Sequence, residues 1–321
     1  MNADSQSTNV TTASLAAPDL LIHFHIPKTG GTTLNIILRG NFPQSQVFVA
    51  QTGEVHSALW SESLGALETK YNSLPAEERR MIRCVAAGHL PMGVHEIFGR
   101  RAKYVTVLRN PVDRVLSHYY FARKTGISLK ERVFDSMTLD QYLDSKIDLG
   151  PHNFQVRLLS GARELDSDMD KVGSPLEIAP VEERHLEMAK RNIEKYFLAA
   201  APLEDFAALV LYLRRIYGWR WTGMLYDEIN PTKDRLTVGE IPAATQRRIE
   251  ALNRFDAALY DWAKTRFRLQ IDALGASFAR ELSMFRAINS AIRIAGGAIP
   301  FGMRKRLALW LLYRRNSLRE V

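Results

Sequence analysis

The chain has 321 residues, 46% of them hydrophobic, and a formal net charge of +8 from 43 Lys and Arg against 35 Asp and Glu. That is enough to bury a substantial core in one or two domains, and glycine and proline are too sparse for a disordered chain. A single cysteine, Cys84, excludes an internal disulfide framework and any multi-cysteine metal site, and it is compatible with a reducing compartment. From residue 286 onward eight basic residues stand against one acid, so the positive charge is concentrated in the tail and a globally basic nucleic-acid surface is excluded.

Residues 1–18 are rich in Ser, Thr, Ala and Asn and lack the basic start and apolar run of a secretory signal, so 1–19 reads as a loose leader. A first strand is predicted over 20–26 and a helix from 32 to 38. Between them, Pro27 to Thr33 reads P-K-T-G-G-T-T, which sets a lysine, backbone N–H groups and hydroxyls together at a helix N-terminus. Such a turn holds an anion. It does not match the Walker loop, whose lysine follows the glycines, because Lys28 precedes Gly30 and Gly31. His23 and His25 lie among Ile22, Phe24 and Ile26 and read as packed strand residues.

A short strand over 47–49 and a helix opened by Pro75 lead to a buried strand over 82–87. A further strand over 104–108 stops at Arg109-Asn110-Pro111, and Pro111 fits the first turn of the next helix. Strand, polar turn and helix in recurrence give an α/β fold with a mainly parallel sheet covered by helices, whose ligands gather beyond the carboxyl ends of the strands. Helical pieces over 139–143 and 154–159 flank a turn at 150–153. A helix over 182–194, a strand over 196–200 and an amphipathic helix over 203–217 follow. One long helix over 243–267 closes the core, and glycines 275, 296 and 297 with Pro300 divide short amphipathic helices after residue 269. Residues 303–315 join a cation cluster to Trp310 and Tyr313; this suits an anionic membrane surface, or equally packing on the body or on a second subunit.

Arg109 directly follows its strand and Ser117 lies eight positions later, so a guanidinium fork and a hydroxyl can share a second phosphate-like group. Arg114 and Arg123 lie nearby. Two such sites suit a ligand with two separated anionic groups better than a metal-bound triphosphate. Taken together, Pro27–Thr33 and the stretch from Arg109 to Arg123 (R-N-P-V-D-R-V-L-S-H-Y-Y-F-A-R) resemble the two cofactor motifs of sulfotransferases that use 3′-phosphoadenosine 5′-phosphosulfate (PAPS). The resemblance is to the branch containing the heparan sulfate 2-O-sulfotransferases and related carbohydrate enzymes. Gly88-His89-Leu90-Pro91, the stretch from His152 to Gly161 and that from Asn253 to Phe267 agree with it, so it covers roughly residues 20–268.

The resemblance implies a P-loop-like three-layer fold over 20–270 and a C-terminal helical extension over 271–321. It implies PAPS as sulfate donor, the 3′,5′-bisphosphate (PAP) as product and no metal. Lys28, Thr29, Gly30, Gly31, Thr32 and Thr33 would surround the 5′-phosphosulfate, with Lys28 neutralising the leaving oxygen, while Arg109 and Ser117 would hold the 3′-phosphate. His89 is the candidate base and His95 its competitor. His95, Asn153 and Arg157, with Gln155 between the last two, are candidates for the acceptor side, and Lys233 for a loop over the nucleotide. The expected acceptor is a carbohydrate hydroxyl, with further contacts to an anionic membrane surface through the tail and to a second copy, no nucleic acid, and a cytoplasmic location, peripheral on the membrane. Two other readings stand beside this one: an atypical kinase-like phosphotransferase, and a membrane-associated nucleotide-binding module without transfer.

Overall fold

The computed structural model describes residues 17–49, 64–86, 92–125, 136–146, 149–165, 178–226 and 236–294. Five strands form one sheet: β1 (Leu20–His23), β2 (Val47–Val49), β3 (Cys84–Ala86), β4 (Ala102–Leu108) and β5 (Phe197–Pro202). Every pairing is parallel and the spatial order is β2-β3-β1-β4-β5. Helices fill the connections: α1 (Gly31–Asn41), α2 (Leu64–Ser73), α3 (Ala76–Met81), α4 (Pro111–Thr125), α5 (Leu139–Asp144), α6 (Phe154–Ser160) and α7 (Glu183–Tyr196). They continue as α8 (Phe206–Tyr217), α9 (Trp221–Met224), α10 (Ala243–Leu252), α11 (Arg254–Asp272) and α12 (Gly275–Ile294).

The central strands are buried on both faces, β1 throughout and β4 from Tyr104 onward, in keeping with their largely apolar sequences. Leu20, Ile22, Tyr104 and Leu108 point to one side, where α2, α6, α7 and most of α11 cover them. Leu21, Cys84, Val105 and Val107 point to the other, against α1, α8 and α12. The result is the three-layer, P-loop-like α/β arrangement, with α4, α5 and α10 joined in a smaller cluster around Val115, Leu116 and Ile249. Thr106, fully buried on β4, donates its hydroxyl proton to the Phe24 carbonyl at 2.7 Å and so carries no unmet polar group into the core.

Three elements depart from the sequence expectation. The long closing helix is broken at Asn253 (φ −123°, ψ 28°), whose side-chain amide donates to the carbonyls of Ile249 and Pro151. Beyond residue 269 the chain turns at Gly275 (φ +74°), as expected, but the helix that follows, α12, runs for 20 residues where a short one was expected, since no glycine interrupts it before residue 296. Part of the C-terminal extension is thus core, since Phe278 and Phe285 of α12 are buried beneath α8. Helix α2 was not foreseen; only Leu67 and Tyr71 of it are buried, too few to set a period.

Candidate functional site

β1 sits at the centre of the sheet, with β3 on one side and β4 on the other. The crevice beyond the carboxyl ends of β1 and β4 is therefore the switch point of the topology, where open α/β sheets bind their ligands. The Lys28 turn leaves β1 there, and Arg109 leaves β4 beside it.

The turn is built by its own residues. Thr29, fully buried, donates its hydroxyl proton to the Ile26 carbonyl at 2.8 Å, so this side chain braces the loop. Lys28 (φ 67°) and Gly30 (φ +91°) occupy the left-handed region, and the Gly30 carbonyl accepts from Thr33 and Leu34 to start α1. Gly31 is needed for a different reason: a Cβ there would lie 2.2 Å from the His25 ring. His25 stacks on His23 at 5.2 Å between centroids, and His23 Nδ1 lies 2.6 Å from Asn35 Oδ1 on α1. The first-turn N–H groups of α1 thus open toward the crevice at the positive end of the helix.

Two contacts join the second motif to the first. The Arg109 guanidinium donates to the Lys28 carbonyl at 3.1 Å, and the Lys28 ammonium lies 3.6 Å from the centroid of the Phe121 ring on α4. Ser117 is one turn before Phe121 and 5% exposed, so both occupy the face of α4 that meets the turn. Asn110 starts this helix by accepting from the N–H groups of Val112 and Asp113 at 3.0 and 3.3 Å, and Pro111 follows where no N–H is needed. Asp113, 4.0 Å from Arg109, adds a carboxylate to the group. Phe121 escaped the sequence reading as a site residue; its signal was the four-residue spacing from Ser117.

Other expected residues have different settings. Arg114 is fully buried and points inward: it donates to the Gly150 carbonyl and lies over the Phe154 ring, where its charge acts on Asp256. Arg123 is exposed and lies over the ring of Tyr119. Asn153 caps α11, its side-chain oxygen accepting from the N–H groups of Phe255 and Asp256 at 2.9 and 3.1 Å. Arg157, 2% exposed, donates to the carbonyls of His152 and Ala179. Both therefore brace the scaffold.

His95 is placed away from the crevice. Its Nδ1 and backbone N–H lie 2.9 and 3.0 Å from the Tyr104 hydroxyl, and its ring packs on Tyr196. Tyr104 precedes Arg109 by five residues of extended chain, about 16 Å. His95 is thus tied to Tyr104 within β4 rather than to Arg109 at its end. β3 is parallel to β1, so its carboxyl end at Ala86 lies at the same sheet edge as the turn, but His89 lies outside the described residues, as does Lys233.

A donor with a 5′-phosphosulfate and a 3′-phosphate fits these residues: a helix N-terminus with Lys28, Thr32 and Thr33 on one side, and Arg109 and Ser117 on the other. Among the described residues no group of three or more His, Cys, Asp or Glu side chains is arranged to hold a metal ion.

Comparison with known proteins agrees with this geometry. The chain is 28% identical over 290 residues to heparan-sulfate 6-O-sulfotransferase 2 of Gallus gallus, covering 79% of this chain and 68% of that one. It is 27% identical over 287 residues to the Mus musculus 6-O-sulfotransferase 2, covering 78% and 44%. For heparan-sulfate 6-O-sulfotransferase 1 of Cricetulus griseus the identity is 26% over 287 residues, covering 78% and 67%. The chain thus spans less than half the length of the mouse relative. These relatives are 6-O enzymes, which corrects the resemblance to the 2-O branch: the short cofactor motifs do not distinguish the two. Residues 18–158, from the first strand into the helix that carries Gln155, match a sulfotransferase domain, and that stretch contains the turns after β1 and β4.

Proposed function

We propose that this protein transfers a sulfuryl group from PAPS to a hydroxyl of a carbohydrate acceptor. The observation that carries the reading is the 3.1 Å hydrogen bond from Arg109 to the Lys28 carbonyl, which makes two anion-binding turns one site. PAPS, when bound, supplies the activated sulfuryl group. Lys28 and the α1 N-terminus hold the 5′ side and oppose the charge that develops on the leaving oxygen. Arg109 and Ser117 hold the 3′-phosphate. Because Lys28 lies before the glycines and rests on Phe121, its charge sits beside the loop instead of along it, unlike a Walker lysine. His89, three residues beyond the end of β3 at Ala86, takes the acceptor proton; imidazole is the side chain suited to that at neutral pH.

The acceptor class follows from the relatives, which act on heparan sulfate by their names. A 6-hydroxyl of a sugar residue is the corresponding position here. The basic tail over 303–315 adds affinity for an anionic membrane on the cytoplasmic side.

The test is transfer of labelled sulfate from PAPS to a panel of glycan acceptors, with release of PAP. Failure to bind either nucleotide ends the proposal. His89→Ala is expected to keep PAP affinity while transfer falls by on the order of 100-fold or more; normal turnover would remove His89 from the reaction.

A further inference from the structure

β4 ends at Leu108, its last residue paired with β5. Arg109 therefore begins the loop with an N–H and a carbonyl that have lost their strand neighbours, and leaving such groups buried and unpaired is destabilising. One side chain meets both. Gln155, fully buried on the first turn of α6, accepts from the Arg109 N–H at 3.0 Å through Oε1 and donates to the Arg109 carbonyl at 2.9 Å through Nε2. The carboxamide thus continues the ladder one residue past the sheet.

Gln155 is itself fixed from far along the chain. Its N–H donates to Asp256 Oδ2 at 3.0 Å, and that of Val156 to Oδ1 at 2.8 Å. Asp256 is fully buried near the start of α11, whose N–H groups are in turn capped by Asn153. Two helix N-termini meet here, each capped by a side chain of the other. Asn253 adds a third tie, its Oδ1 accepting from the Asn153 N–H at 3.1 Å. Burial pushes the Asp256 carboxyl above the ordinary carboxylate range, opposed by Arg114 and the two N–H donors.

We propose that Gln155, set in place by Asp256, is a positioning residue for Arg109 that holds its backbone where the guanidinium can reach both the Lys28 turn and a ligand's 3′-phosphate. This rests on the reading of Arg109 given above. It also extends the site beyond the matched sulfotransferase domain, which ends at residue 158, to a carboxylate at 256.

The experiment compares adenosine 3′,5′-bisphosphate with adenosine 5′-monophosphate, which lacks the 3′ group, by calorimetry on the full chain, with thermal melts alongside. The wild type is expected to favour the bisphosphate. Gln155→Met is expected to lose about tenfold in affinity for the bisphosphate while its affinity for the monophosphate stays within about twofold. Gln155→Glu keeps the acceptor for the Arg109 N–H, gives an intermediate loss, and carries the comparison if the methionine variant does not fold. A folded variant that keeps the wild-type preference, or loses both nucleotides in parallel, overturns the positioning role. A wild type that does not distinguish the two nucleotides overturns the Arg109 assignment, and the positioning role with it.

Discussion

At the scale of single residues, the Lys28 turn depends on neighbours of unlike kind: a carbonyl that receives Arg109 and an aromatic face that receives the ammonium. A cation on an aromatic ring is worth about 0.5–2 kcal/mol, so Phe121→Leu is expected to slow transfer by roughly 2- to 30-fold with little change in melting temperature. An unchanged kcat would show that Lys28 needs no ring beneath it. His95 supplies a second residue-scale expectation. The Tyr104 hydroxyl accepts the His95 backbone N–H and lies 2.9 Å from Nδ1, and burial lowers the His95 pKa. Between that lowered value and the ordinary one of about 6.5, the unfolded chain binds a proton that the folded chain does not, so stability falls as pH drops through this window. Denaturation midpoints at pH 7.5 and pH 5 should differ less in His95→Gln than in the wild type; equal differences would rule out this linkage.

At the scale of elements, what was legible in the sequence was local. The turns after β1 and β4 announce themselves through Pro27, the paired glycines and Asn110-Pro111, because each is a backbone requirement met within a few residues. The settings of Asn153, Arg157 and Asp256 were not legible, since their partners lie up to about a hundred residues away and polar side chains in a turn look the same whether they face a ligand or a helix end. The break at Asn253 was hidden for the same reason: its side chain bonds Pro151, across the junction. If Asn153 is a cap, Asn153→Ala should cost about 0.5–2 kcal/mol in urea denaturation and leave acceptor KM unchanged in the folded fraction. A raised acceptor KM at full stability would return Asn153 to the substrate.

At the scale of the whole molecule, the two faces of the sheet are closed by different parts of the chain, and α12 belongs to the closure. Phe285 is fully buried against Tyr226 and Trp221, so Phe285→Ala should cost about 3–5 kcal/mol, measured as a lower denaturation midpoint, with the nucleotide affinity of the folded protein retained. A cost under about 1 kcal/mol would mean that this helix does not pack on the body in solution. Cys84 lies in the same interior, with its thiol pushed up to about 12 by burial, which explains why a lone cysteine here has no place in the chemistry.

The mutual capping of α6 and α11 also bears on how the protein is made. A ribosome has delivered Lys28, Arg109, Ser117 and Gln155 well before it delivers Asp256, and until then α6 lacks the carboxylate that receives its first N–H groups. Domains fold as units during synthesis. The surroundings of Arg109 are therefore finished late in translation, by a residue about a hundred positions after Gln155.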